Sequence, residues 1–188
     1  MPDTAGHGYQ MAFSHVGFFV TDMAKMANFY SRVMGFFITD QGSLNGKAIT
    51  FLSRDPREHH QIVLVAGRDP QSQLNINQIS FRVRSLGELK AFYAQLVEAG
   101  AKGMEPVIHG NSWSIYFQDP EGNRIEAFAD TDWYISQPFK EPLDLTLPEE
   151  EIRNFTRDYC KTREGYKPIA EWRAEMTAMM AAGRPEHS

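Results

Sequence analysis

The sequence predicts an α+β protein in which two βαβββ modules pair about a pseudo-twofold axis into a cupped sheet, followed by a helical C-terminal extension. Three observations lead there. First, the run Phe13-Ser14-His15-Val16-Gly17-Phe18-Phe19-Val20 recurs in altered form as Asn77-Gln78-Ile79-Ser80-Phe81-Arg82-Val83. A constant step of 63 carries His15 to Gln78, Val16 to Ile79, Phe18 to Phe81 and Val20 to Val83. The same step carries Phe29-Tyr30 to Phe92-Tyr93 and Ile62-Val63 to Ile125-Glu126. A period this long, running through strand-like and helix-like stretches alike, indicates two copies of one supersecondary unit. Second, each copy opens with a β-branched and aromatic run, passes to helical spacing and ends in short alternating runs. Third, this texture stops near Asp130, and the last third of the chain is different.

Residues 1–10 hold two Gly and a Pro without apolar periodicity and read as a loose terminus in which His7 is solvated. Residues 11–67 form the first module. A strand runs from Met11 to Val20, and Thr21-Asp22 caps a helix along which Met23, Met26, Ala27, Tyr30, Val33 and Met34 repeat until Gly35 stops it. Strands then fall at Phe37 to Thr39, Ala48 to Leu52 and Gln61 to Val65, separated by turn material at Gly42-Ser43-Leu44-Asn45-Gly46 and Asp55-Pro56-Arg57. After a polar linker comes the second module, residues 76–130. Its first strand is Ile76 to Val83, and Ser85-Leu86-Gly87-Glu88 has capping-box spacing. Leu89, Phe92, Tyr93, Leu96 and Val97 give the helix its apolar face, and Gly100 takes the left-handed end. Ser114 to Phe117 and Arg124 to Phe128 alternate like strands around the turn Asp119-Pro120-Glu121-Gly122-Asn123. Residues 131–188 form an arm with Pro138, Pro142, Trp133, Tyr134 and Phe139, then two helices. Pro148 opens one, with Glu149, Glu150 and Glu151 in its first turn; Pro168 opens the other, with a stripe of Ile169, Trp172, Met176, Met179 and Met180 for packing and Gly183 at its end.

Composition narrows the function. At 188 residues with a formal net charge of −5, the chain has no basic field for nucleic acid and no Lys/Arg cluster for a membrane surface. No apolar run approaches the roughly 18 to 20 residues that span a bilayer. Cys160 is the single cysteine, which with the absence of a leader-like segment leads us to expect a soluble cytoplasmic protein.

The chemistry rests on polar groups inside apolar strands. His15 and Gln78 occupy equivalent places on the opening strands of the two copies, and Glu126 interrupts the apolar Ile125-Glu126-Ala127-Phe128. A buried carboxylate needs a partner, because an unpaired buried charge is costly. A cation is one such partner. If the copies face each other across a pseudo-twofold axis, His15, Gln78 and Glu126 converge on a nitrogen and oxygen site with room for water or substrate.

The paired βαβββ units, with Tyr116-Phe117-Gln118-Asp119-Pro120-Glu121-Gly122-Asn123-Arg124-Ile125-Glu126, resemble the vicinal oxygen chelate superfamily of glyoxalases, bleomycin- and fosfomycin-resistance proteins and extradiol dioxygenases. The resemblance covers residues 11–130 and is nearest to extradiol dioxygenases with a single module pair. It implies His15 and Glu126 as ligands of Fe(II), with Mn(II) or another divalent ion as the alternative. Gln78 stands where the extradiol pattern has His; its amide oxygen is a weaker, neutral ligand, although glutamine serves on the equivalent strand in some glyoxalases. The resemblance further implies Tyr116 as a hydrogen-bond donor to substrate and His60 as acid and base. It also implies His109 near the pocket, two residues from the family's spacing. Val63 stands where the glyoxalase branch needs a second Glu. Phe18, Phe81 and Trp113 are candidate pocket walls. The resemblance thus leads us to expect an extradiol-type dioxygenase acting on a small catecholic substrate with O2, and the single module pair with a Met-rich helical tail, which has surface to bury, leads us to expect a homodimer. The alternatives are a glyoxalase-like lyase or isomerase, and a non-catalytic aromatic-ligand binding or resistance protein with a degenerate metal site.

Overall fold

The computed structural model describes residues 10–71, 76–118 and 124–182. The expectations for His7, for the turn at Asp119-Pro120-Glu121-Gly122-Asn123 and for Gly183 lie outside them. The first module comprises β1 (Met11–Val20), α1 (Met23–Asn28) continued by a π turn (Phe29–Val33), β2 (Phe37–Leu44), β3 (Lys47–Ser53) and β4 (Ile62–Ala66). The second comprises β5 (Ile76–Val83), α2 (Leu86–Glu98), β6 (Lys102–Ile108), β7 (Ser112–Gln118) and β8 (Arg124–Asp130). Local chemistry accounts for most of the boundaries. The Asp22 carboxylate accepts from the Lys25 amide and starts α1, and the Ser85 hydroxyl accepts from the Glu88 amide and starts α2. The reciprocal half of the expected capping box differs, since Glu88 accepts from the amide of Arg84.

Two expectations about strands need correction. Gly42 and Ser43 belong to β2, paired with Ile49 and Ala48, and the reversal is confined to Asn45 and Gly46, whose φ values of 52 and 75° suit a two-residue hairpin turn. β6 is a further strand that the alternation does not announce, because Gly103 at φ 66° accompanies a register shift and Pro106 interrupts the pattern.

The strands form one curled sheet in the order β10-β6-β7-β8-β5-β1-β4-β3-β2, where β10 (Glu141–Pro142) comes from the extension. Across the central antiparallel pair, Val16 of β1 lies opposite Ile79 of β5. These residues are repeat equivalents, so the pseudo-twofold passes between them. The parallel pairs on either side keep the same step of 63 that separates His15 from Gln78: Val16 meets Ile62, and Ile79 meets Ile125. The hairpins do not keep it. Phe51 faces Val63 while Tyr116 faces Glu126, so the counterpart of Phe51 is Tyr116, two positions beyond the step. The two residues are gained in the helix, 13 residues in α2 against 6 in α1 plus 5 in the π turn, and are lost again in the shorter β7–β8 connection.

Outside the curl, α1 covers Val20, Leu52 and Leu64 through Met23 and Met26, and α2 covers Val83, Ile115 and Ala127 through Leu86, Leu89, Phe92 and Leu96. Each fully buried Leu contributes roughly 1.5–3 kcal/mol. The extension continues through β9 (Trp133–Tyr134), α3 (Glu149–Cys160), β11 (Lys167–Pro168) and α4 (Ile169–Ala181). α3 adds Ile152 and Cys160 to the outer core, whereas α4 packs Trp172, Met176, Ile169 and Met179 around Tyr134.

Candidate metal and active site

Alternation along the strands sends His15 of β1, Gln78 and Ser80 of β5 and Glu126 of β8 to the concave face, where relative exposures of 3, 9, 0 and 3% leave them buried. Gln78 Nε2 lies 3.2 Å from His15 Nε2 and 2.9 Å from Glu126 Oε2, and His15 Nε2 lies 3.3 Å from Glu126 Oε2. Ser80 Oγ donates to Glu126 Oε2 at 2.7 Å, and Ser14 Oγ sits 3.2 Å from His15 Nδ1, leaving Nε2 to face the cluster. Burial pushes the Glu126 carboxyl up, but the contact and charge of His15, with His109 and Ser80 behind them, outweigh it and hold the group at about 2.

The donor chemistry of this cluster fits a divalent ion under one condition. Among the described residues, no three His, Cys, Asp or Glu side chains gather to hold a metal, and the Gln78 amide is the group that faces both His15 Nε2 and Glu126 Oε2. The three facing atoms form a triangle with edges of 3.2, 2.9 and 3.3 Å. Ligand bonds of about 2.1 Å at right angles span roughly 3.0 Å, which this triangle matches. A half-turn of the Gln78 amide about its last torsion exchanges nitrogen for oxygen and completes an imidazole, carboxylate and carbonyl face.

Tyr116 on β7 and His109 form the adjoining wall. His109 Nδ1 is 2.7 Å from the Phe139 carbonyl, which only accepts, so Nδ1 donates and Nε2 is left to accept from the Tyr116 hydroxyl at 3.0 Å. His109 Nε2 is also 3.8 Å from Glu126 Oε1. Burial holds the His109 imidazole below its ordinary range, and burial with the Glu126 charge pushes the Tyr116 phenol well up. On the opposite side the ring of His60 lies edge-on to that of His15, centroids 4.1 Å apart, and burial with the neighbouring imidazoles holds it well below the usual range.

These residues open on a cavity of about 350 Å³. The first module supplies its apolar side from Phe19, Ile49, Phe51, Val63 and Val65, and the extension supplies Pro138, Phe139 and Trp172 at the mouth. His15, Gln78, Glu126, His60, His109 and Tyr116 are thus brought to one cavity. Phe18, Phe81 and Trp113 are not, and their expected role as pocket walls is corrected. Phe18 packs beneath α1, and Phe81 lies edge to face on Phe13, itself 64% exposed. Trp113 is fully buried in the outer core, where its Nε1 donates to Thr156 Oγ1 at 3.0 Å. The reason is parity: each is an odd number of positions from a cavity-facing residue on its own strand. Ser80 is a site residue that sequence reasoning misses although it is two positions from Gln78, a signal that parity could have used. His59 lines the cavity beside His60, whereas Asp40, which meets His59, and Tyr134, which meets Asp40, carry no local signal.

Residues 12–127 match the model of the Glyoxalase/Bleomycin resistance protein/Dioxygenase superfamily, and the chain belongs to that superfamily. It is 30% identical over 114 residues to a biphenyl-2,3-diol 1,2-dioxygenase 3 of Rhodococcus globerulus, covering 57% of each chain. It is 27% identical over 124 residues to biphenyl-2,3-diol 1,2-dioxygenase 2 of the same organism, covering 63% of this chain and 62% of the relative. In fold it is similar to a solved 2,3-dioxygenase of Pseudomonas sp. KL28, with a TM-score of 0.55 at 24% identity over 70% of this chain and 46% of the other. The chain therefore spans only about three-fifths of the curated relatives it matches.

Proposed function

We propose that the protein is a ring-cleavage dioxygenase of the extradiol type, acting with O2 on a small catecholic substrate. The observation that carries this reading is the convergence of His15, Gln78 and Glu126 at the base of a cavity that also holds His60, His109 and Tyr116. His15, Glu126 and the turned Gln78 amide would hold a divalent ion, Fe(II) in preference to Mn(II). Bound there, the ion would supply Lewis acidity toward the two catechol oxygens and a meeting place for O2. The chain's own groups divide the remaining work. Tyr116 and His109 orient a ring oxygen through the hydroxyl, the apolar face of Phe19, Phe51, Val63 and Val65 seats the ring, and the neutral imidazole of His60 accepts a substrate proton. The names of the relatives favour a substrate of the biphenyl-2,3-diol kind, and we place the enzyme in the cytoplasm as a homodimer. Among the described residues no helix is long and apolar enough to cross a membrane.

Anaerobic reconstitution with Fe(II), followed by admission of O2 in the presence of substituted catechols, tests the reading. Yellow ring-opened products are expected. Metal uptake without any catechol turnover would overturn it and favour an oxygen-independent lyase or isomerase, for which the apolar Val63 speaks unfavourably. The second reading is a binding protein, favoured by Gln78 standing where the resemblance has a His ligand. Metal analysis of protein purified without chelators separates the two, since a binding protein of this kind takes up no Fe, Mn, Zn or Ni.

A further inference from the structure

We propose that Asp40 and His59, held by the Tyr134 hydroxyl of the C-terminal extension, are positioning residues that fix His60 as the tautomer with its proton on Nδ1 and a bare Nε2. Asp40 is on β2, His59 and His60 lie in the β3–β4 connection, and Tyr134 is on β9. Tyr134 donates to Asp40 Oδ2 at 2.5 Å, and His59 Nε2 lies 2.7 Å from the same oxygen. His59 Nδ1 is in turn 2.7 Å from His60 Nδ1. The His59 and Asp40 side chains are only 9 and 16% exposed, so water does not compete freely for these bonds.

The direction of each bond follows from what each atom has to offer. A carboxylate oxygen only accepts, so both the Tyr134 hydroxyl and His59 Nε2 donate to it. A neutral His59 with its proton on Nε2 has a lone pair on Nδ1. The facing Nδ1 of His60 must then carry a hydrogen and donate it, which leaves His60 Nε2 bare. A His59 that donated from both nitrogens would reverse the last bond and put the His60 proton on Nε2, and the tautomer of His60 tells the two arrangements apart.

Orientation is fixed as firmly as protonation. The His59 ring lies 5.9 Å from Tyr134 and 5.5 Å from Trp172, tilted 35 and 32° to them, and those two rings stack on each other at 5.3 Å. Tyr134 and Trp172 both fall beyond residue 127, where the family match ends. The extension sets His109 in the same manner, through the Phe139 carbonyl on Nδ1. Segments outside the paired modules therefore determine which nitrogen two cavity imidazoles leave free.

The tautomer stands independently of the chemistry, whereas its use in proton acceptance rests on the dioxygenase reading. Long-range proton–nitrogen correlation spectra of the 15N-histidine-labelled full chain, metal-free, with His60 assigned by its loss in His60→Gln, read the tautomer directly. We expect Nδ1–H with an unprotonated Nε2 for His60. His59→Phe keeps the aromatic stack and removes the acceptor, so His60 should revert largely to the Nε2–H form, and kcat in the reconstituted enzyme should fall roughly tenfold or more with KM within about twofold. Tyr134→Phe should shift the tautomer only in part. An Nε2–H on wild-type His60, readable even if His59→Phe does not fold, overturns the proposal, as does an unchanged tautomer in His59→Phe. The expected tautomer without any catechol turnover supports the positioning and counts against the dioxygenase reading alone.

Discussion

The two walls of the cup are built on the same backbone, and beyond the histidines that the first brings to the site their strands differ in polarity. Beside the equivalent His15 and Gln78, positions of the same strand parity on the first module carry Gly17, Phe19, Phe51, Val63 and Val65, and their counterparts on the second carry Ser80, Arg82, Tyr116, Glu126 and Phe128. Four of the five pairs set a small or apolar residue against a polar one. The Phe51 and Tyr116 pair differs by a single hydroxyl, which on the second wall reaches His109. Arg82, where the first module has Phe19, is held by Glu58 at 2.7 Å and by Asp130 at 3.1 Å. A buried carboxylate is tolerable only when donors or a cation surround it, and the cluster holds such partners for Glu126 and none for a second carboxylate. Duplication thus supplied the cup and the paired positions of His15 and Gln78, and divergence left the remaining strand positions apolar on the first wall and polar on the second.

Substitutions that exchange the walls test this division. The largest effect is expected for Glu126→Val, which gives the second wall the side chain of the first. Divalent-metal binding measured by calorimetry should be abolished and turnover should fall by at least about a thousandfold, while the circular dichroism stays native because Val63 is accommodated at the equivalent place. Persistent stoichiometric metal binding in that variant would remove Glu126 from the ligand set. Next comes Tyr116→Phe, which copies Phe51. Turnover should fall by about a hundredfold with metal affinity retained, and stability should drop by about 1 kcal/mol for the lost bond to His109. A variant that loses metal instead would make the hydroxyl part of the metal site.

Gln78→His replaces a neutral amide with imidazole, and Fe(II) affinity should rise by about tenfold in competition titrations. No change would place Gln78 outside the coordination sphere and strengthen the binding-protein reading. The smallest effect concerns Arg57, a cavity-lining residue whose hydrogen bonds hold the Asp55 carboxyl at about 2 against an ordinary 3.8. A depressed carboxyl stabilises the fold above 3.8 and ceases to do so as pH falls through 2. Arg57→Gln should therefore lower the unfolding temperature slightly at pH 7 and not at pH 2, because the pair is largely exposed.

Much of this was legible because a repeat keeps both order and register where strands must pair. His15, Gln78 and Glu126 lie on β1, β5 and β8, whose mutual registers obey the step seen in the sequence. The equivalence of Phe51 and Tyr116 was hidden, since a gain of two residues in the helix and a matching loss in a loop leave no trace in a fixed-step comparison. The assignment of Phe18, Phe81 and Trp113 to the cavity failed because an alternating strand has two faces, and each of the three sits an odd number of positions from the polar site residue on its own strand. His59 was visible beside His60, but nothing local linked it to Asp40, 19 positions earlier, or linked Asp40 to Tyr134, 94 positions later.

By itself the sequence determined the duplicated α+β order, the three polar residues that interrupt apolar strands, and the helical extension, because periodicity and the cost of burying charge are local properties of the chain. Only the tertiary structure decided which strand face looks into the cup, how closely Gln78 approaches His15 and Glu126, and which distant groups meet His59, His60 and His109. Those depend on the curl of the sheet and on hydrogen-bond partners contributed by distant segments, and no local pattern encodes such a meeting.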